Sequence, residues 1–156
     1  MQDRFRFRIL EKEDKVMYEV DALGYSSYDP FAEGKSRLIM IPSGIYNSFA
    51  YNKQCLYDSE KFSEPMQCTG LKDKNGKLIY EGDILRVIGN RDTSGYGVVE
   101  YLQAGCQFFI NGYLNNPSPY HPQKKGEFYQ QLQEWLCTEV IGNIYENTEL
   151  LEVHHD

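Results

Sequence analysis

TGLKDKNGKLIYEGDIL, residues Thr69 to Leu85, sets turn-forming residues around short apolar runs. Asn75-Gly76 is a hairpin signal, because both residues tolerate positive φ. A two-residue loop there would place Lys74 opposite Lys77, a mildly repulsive pair. A longer loop built on Asp73–Gly76, with Gly76 left-handed, is therefore expected. Gly82-Asp83 marks the next turn, and an aspartate at a strand entry can hold local backbone N–H groups. Gly70, Gly76 and Gly82 supply turn conformations, while Leu71, Ile79, Ile84 and Val87 supply core. These glycines are not a phosphate cradle, since neither GxGxxG nor GxxxxGK[ST] occurs and no long helix follows. Lys72, Asp73, Tyr80 and Glu81 are less needed for folding and, with Asp83, form the candidate binding surface.

Short strands continue outward on both sides. Arg4–Leu10 alternates strictly, with Phe5, Phe7 and Ile9 on one side and Arg4, Arg6 and Arg8 on the other, which is the period of a half-buried strand. A polar turn and the run Val16–Val20 complete an N-terminal hairpin. Gly24–Lys35 reads as a loop and Arg37–Ile41 as a strand. Asn47–Tyr57 has no clean period, with a short strand expected at Gln54–Tyr57. Tyr57–Pro65 reads as a linker, which places a subdomain boundary near Pro65. After it come strands at Met66–Thr69 and Ile84–Ile88, a loop at Gly89–Gly97, and a hairpin turning at Gln103–Gly105. Asn111–Gly126 holds three prolines and reads as a long loop. Phe128, Leu132, Trp135 and Leu136 stand at i, i+4, i+7 and i+8, the spacing of one helix face. Glu139–Tyr145 returns to strand, and Glu146–Leu151 suits a closing helical turn.

Composition narrows the function classes. The chain has 156 residues, 13 of them Tyr, 8 Phe and one Trp, a bias that suits sheets. No apolar run reaches the length of a membrane span, and the N-terminus lacks a signal-peptide pattern, so a soluble, cytoplasmic protein is expected. Net charge is −7, and every Lys and Arg precedes Gly126. Glu127, Glu134, Glu139, Glu146, Glu149, Glu152 and Asp156 carry the whole excess. That balance disfavours nonspecific nucleic-acid binding, which needs clustered positive charge. Cys55, Cys68, Cys106 and Cys137 show no CxxC spacing and read as reduced, partly buried thiols. His121, His154 and His155 lie in a loop and at the C-terminus, so neither a metal nor another cofactor is expected.

Three segments carry a family likeness. They are FRILEKEDKVMYEV (Phe7–Val20), MQCTGLKDKNGKLIYEGDILRV (Met66–Val87) and EVIGNIYENTELL (Glu139–Leu151). In these the sequence resembles the YopX family of small bacteriophage and prophage proteins. Leu10 and Glu11 stand where Trp and Asp are common in that family, Cys68 replaces a Tyr, and Thr148 replaces a Pro. Matches at the start, middle and end imply that the family spans essentially the whole chain. The resemblance implies a mainly β fold with minor helices, in which an N-terminal β-hairpin subdomain (1–65) precedes a small SH3-like β-barrel (66–156). It implies a prophage-encoded origin in a bacterial host and no assigned reaction.

Function then divides three ways. A non-enzymatic module that engages a host or phage protein is favoured, because small barrels offer aromatic grooves and edge strands. Nucleic-acid binding through Arg4, Arg6 and Arg8 is the alternative, set against a reading of these arginines as a solvated, ion-paired face. A metal-dependent hydrolase is a third, using Asp73 with Glu81 or Asp83 across the hairpin, although further acidic ligands are missing nearby. Homo-oligomerisation through strand edges is compatible with the first two.

Overall fold

The computed structural model describes residues 6–26, 37–42, 60–88, 94–114, 126–132 and 137–152. The protein is mainly β and antiparallel, and divides into units Arg6–Gln67 and Cys68–Asp156, a division that falls inside one strand.

In the first unit, β1 (Phe7–Glu11) and β2 (Val16–Ser26) form the expected hairpin, and β3 (Arg37–Pro42) adds to the far side of β2. β2 runs on through Gly24–Ser26, where a loop was expected, because β3 pairs with it out to Ser26↔Arg37. Residues 27–35 and the strand expected at Gln54–Tyr57 lie outside the described residues. β1 also pairs with the first residues of β4 (Met66–Lys72), Phe7 opposite Gln67 and Arg8 opposite Met66. Arg8, Ile9 and Leu10 are consecutive and all buried. Successive side chains on a strand point to opposite faces, so both faces of β1 are covered there and the expected alternation fails.

The segment before Pro65 is also more than a linker. Phe62 bridges to Glu11, Lys12 N–H donates to Lys61 O at 2.9 Å, and Ser63 N–H donates to Leu10 O at 2.9 Å. The Ser63 hydroxyl, buried, accepts from Leu10 N–H at 3.0 Å. A hydroxyl side chain here completes pairing that backbone alone would leave short of partners.

In the second unit, Cys68–Lys72 of β4 pairs with β5 (Leu78–Tyr80). A five-stranded sheet has the order β10-β6-β7-β8-β9, from β6 (Asp83–Ile88), β7 (Ser94–Leu102), β8 (Gln107–Leu114), β9 (Gly126–Gln131) and β10 (Thr138–Asn143). A 3-10 turn at Gln103–Gly105 joins β7 to β8, and α1 (Glu149–Glu152) is a single helical turn. Ile79, Leu85, Val87, Val99, Ile110 and Leu132 form the core, with Leu71, Phe108 and Val140 packed on it.

The helix expected from Phe128 onward is instead a strand. β9 pairs with β8 from Leu114↔Gly126 to Phe109↔Gln131, and Leu132 N–H continues the ladder to Phe108 O at 2.9 Å. Helix propensity is a weak prior, and a neighbouring strand that supplies every second backbone partner overrides it. Trp135 and Leu136 lie outside the described residues, as does most of the loop expected at Asn111–Gly126; Asn111–Leu114 belong to β8. Of the cysteines, Cys68 is fully buried, whereas Cys106 and Cys137 are exposed thiols, contrary to the partly buried reading.

Candidate functional site

The signature hairpin is built around Asp73. Its N–H donates to Lys77 O at 2.8 Å and its carbonyl accepts from Gly76 N–H at 2.9 Å, so the loop is the longer one and Gly76 is left-handed at φ 82°. The Asp73 carboxylate accepts from Asn75 N–H (2.8 Å) and Lys77 N–H (2.9 Å) on one oxygen and from Val140 N–H of β10 (3.1 Å) on the other. Lys74 N–H donates to Thr138 O at 2.9 Å, a second tie between this turn and β10. Asp73 is buried. Burial pushes its carboxyl up, but the N–H groups of Val140, Lys77 and Asn75 and the charge of Lys77 outweigh that and hold it below the usual aspartate value. Before the turn, Thr69 spans a register shift: its hydroxyl accepts from Leu71 N–H at 3.1 Å and donates to Ile79 O at 2.9 Å.

Asp83 has the same kind of task at the next turn. It is 1% exposed, and its carboxylate accepts from Tyr80 N–H at 2.7 Å. Between them Gly82, at φ 77°, donates to Val99 O at 2.8 Å and accepts from Ile144 N–H at 2.9 Å. Tyr80 is buried, Glu81 half-buried and Lys72 exposed. The structure thus brings Asp73 and Asp83 into backbone-holding roles within the fold and leaves Lys72 on the surface.

The third family-like segment is another turn lock. Asn143 is buried, and its Oδ1 accepts from Tyr145 N–H and Glu146 N–H, both at 3.0 Å. Its own N–H donates to Asn147 Oδ1 at 3.3 Å, and its Nδ2 donates to Glu146. Asn143→Ala removes the acceptor for two N–H groups and is expected to lower stability by about 1–3 kcal/mol, measured by urea unfolding.

The arginine face is not a free stripe. Arg6 pairs with Glu19 at 2.5 Å, and Arg8 is 9% exposed. Arg4 lies outside the described residues. A different charged cluster forms where β6 meets β10: Glu139 accepts from Lys74 at 2.9 Å and lies 3.6 Å from Arg86 and 3.5 Å from Asn75 Nδ2. Lys74, with help from Asn75 and Arg86, holds the Glu139 carboxyl below its ordinary value against partial desolvation.

One exposed feature escaped the reading of the sequence. Tyr101 at the end of β7 is 40% exposed and packs on Phe108 of β8, with ring centroids 5.2 Å apart and planes at 59°. The two residues are opposite in the strand register. Cys106, left-handed at φ 50°, lies just beyond the turn with Sγ 3.6 Å from Gln103 O. The Cys106 thiol, then desolvation, then the charges of Cys106 and Glu81 raise the Tyr101 phenol, which remains a hydrogen-bond donor at neutral pH. Centring the hairpin on Gln103–Gly105 alone sets Tyr101 opposite Gln107; the pair forms because left-handed Cys106 joins the loop, which gives Leu102↔Gln107 and Tyr101↔Phe108.

Among the described residues, no group of three or more His, Cys, Asp or Glu is placed to hold a metal ion, and no helix is long and apolar enough to cross a membrane. No curated protein matches the chain. Among solved structures, a crystal structure of protein EF1440 from Enterococcus faecalis matches with 22% identity, over 94% of this chain and 96% of that one, at a TM-score of 0.40. The family described as YopX protein matches residues 6–152. With nearly its whole length matched, the chain belongs to the YopX family.

Proposed function

We propose that this chain is a non-enzymatic binding module, a phage or prophage accessory protein that engages a host or phage protein in the bacterial cytoplasm. Its second unit is then an SH3-like barrel that presents the contact surface. The observation that carries the reading is the Tyr101–Phe108 pair at the β7–β8 hairpin tip, an aromatic surface left 40% exposed at Tyr101. Tyrosine is favoured at interfaces because it couples a large apolar ring to a hydrogen-bonding hydroxyl. Exposed Lys72 and half-buried Glu81 suit the polar rim of such a surface.

The other readings have less support. Asp73 and Asp83 spend acceptor capacity on backbone N–H groups, which counts against a hydrolytic metal site between them. Arg6 is ion-paired and Arg8 buried, which counts against an N-terminal nucleic-acid face.

The test captures partners from host lysate on immobilised wild type, Tyr101→Ala and Tyr101→Phe. A protein held by wild type and weakened roughly tenfold or more by Tyr101→Ala, at unchanged thermal stability, is the expected result. Capture indifferent to Tyr101 would remove this surface. Oligonucleotide binding that falls steeply with salt and is lost in Arg6→Ala would replace the protein-partner reading with the nucleic-acid one.

A further inference from the structure

The sequence contains two Asn-Gly pairs, Asn75-Gly76 and Asn111-Gly112, and the fold treats them in opposite ways. Asn-Gly is the dipeptide most prone to spontaneous deamidation, because a glycine leaves its own N–H unshielded. The glycine nitrogen, on losing its proton, attacks the asparagine Cγ. A Gly N–Cγ bond forms, the Cγ–Nδ2 bond breaks, and ammonia leaves, so that a five-membered succinimide remains. Water then adds to either ring carbonyl and opens it to aspartate or isoaspartate. The net change is amide plus water to carboxylate plus ammonium, with no oxidant or reductant. Ring closure requires rotation about the asparagine Cα–C bond, which swings the Asn-Gly peptide and the glycine with it, so local room to move decides the rate.

At Asn75-Gly76 that room exists. Both residues are exposed at the tip of the β4–β5 turn. A Cβ built on Gly76 meets nothing within 4 Å. The restraint on the attacking nitrogen is one hydrogen bond, from Gly76 N–H to Asp73 O at 2.9 Å. The donor belongs to an exposed residue, and a single hydrogen bond of this kind contributes little net stability.

At Asn111-Gly112 there is no such room. β8 is an inner strand, with Gly112 opposite Gly97 of β7 and Phe128 of β9. A Cβ on Gly112 would overlap Tyr96 O and Gly97 Cα, so neighbouring backbone closes over the site. Rotation there must break pairing on both sides.

We propose that Asn75 is a spontaneous modification site of this protein, converted through a Gly76 succinimide to aspartate and isoaspartate, while the same dipeptide at Asn111 is protected by the sheet. The product changes a charged neighbourhood. Asn75 Nδ2 now donates to Glu139 at 3.5 Å and Asn75 N–H to Asp73 at 2.8 Å. Aspartate removes the amide donor and sets a carboxylate beside Glu139, and isoaspartate also lengthens the main chain inside the Asp73 loop.

The test incubates the full-length folded protein at mildly alkaline pH and follows both dipeptides by peptide mapping with mass spectrometry. Isoaspartate is counted by enzymatic methyl labelling, and a parallel sample is held unfolded in urea. Conversion at Asn75 should exceed that at Asn111 by about tenfold or more in the folded protein, a ratio equivalent to roughly 1.4 kcal/mol in barrier. In urea the two rates should converge. Equal rates in the folded protein would overturn the proposal. So would an Asn75 that stays intact while the unfolded chain converts at both positions.

Discussion

Asp73→Ala is expected to unfold the β4–β5 hairpin from β10 and to lower stability by roughly 3–5 kcal/mol. The carboxylate is buried and accepts from Asn75, Lys77 and Val140, so alanine leaves three N–H groups in search of partners. A loss of that size is a large share of the total stability of a typical domain. Hydrogen exchange gives a local readout: the amides of Asn75, Lys77 and Val140 should lose protection before the rest of the sheet does. Asp73→Asn retains one acceptor oxygen and should fall between alanine and wild type.

The same residue makes a signed pH prediction. Its folded pKa is lowered, whereas an unfolded aspartate titrates at about 3.9. A depressed carboxylate contributes fully above the unfolded value and loses that contribution as pH falls through the folded one. Wild type should therefore lose stability as pH drops below about 4, and its advantage over Asp73→Asn should shrink across that window. Urea unfolding at a series of pH values measures both. An advantage that stays constant down to acid would mean that the ionised carboxylate is not what holds the turn.

Gly112→Ala is the second large effect, and it works through shape alone. Gly112 faces Gly97 across β7 and β8, and a methyl group there would overlap Tyr96 O and Gly97 Cα. Those are backbone atoms of a paired strand and cannot swing aside as a side chain does. The pairing runs from Gly95↔Leu114 to Leu102↔Gln107, so a displaced strand is felt along the whole hairpin. A loss above about 4 kcal/mol is expected, a large fraction of the stability of a typical domain. Gly105→Ala is the control: its Cβ would meet Leu102 Cδ2 at 3.9 Å and Gln107 Nε2 at 4.0 Å, ordinary contact. It should stay within about 0.5 kcal/mol of wild type. Thermal melts of both variants decide the matter, and a Gly112→Ala protein that melts like the control would refute the close approach.

The candidate surface was less legible than the fold. Lys72, Asp73, Tyr80 and Glu81 read as charged and aromatic residues that folding does not obviously need, and Asp83 joins that surface while fixing its own turn. Whether a carboxylate faces water or a backbone N–H depends on where β10 lies, and Val140 is 67 positions from Asp73 in the chain. The Tyr101–Phe108 pair depends on Cys106 joining the expected turn, a shift of one residue, and nothing local shows that Tyr101 stays exposed while Phe108 packs on the core. Arg8 reads as solvent-facing from the alternation of its neighbours, and its burial depends on what covers β1.

What the sequence determined by itself is local: the hairpin of Phe7–Leu10 with Val16–Val20, the longer Asp73–Gly76 loop with left-handed Gly76, the turn at Gln103–Gly105 and the strand from Glu139. Each rests on backbone preferences that act within a few residues. The tertiary structure alone decided the strand at Gly126–Gln131, the close approach of Gly97 and Gly112, and the use of Asp73 and Asn143 as buried acceptors. Those depend on partners far along the chain, because a strand's hydrogen bonds and a buried carboxylate's donors come from whichever segment the fold brings alongside.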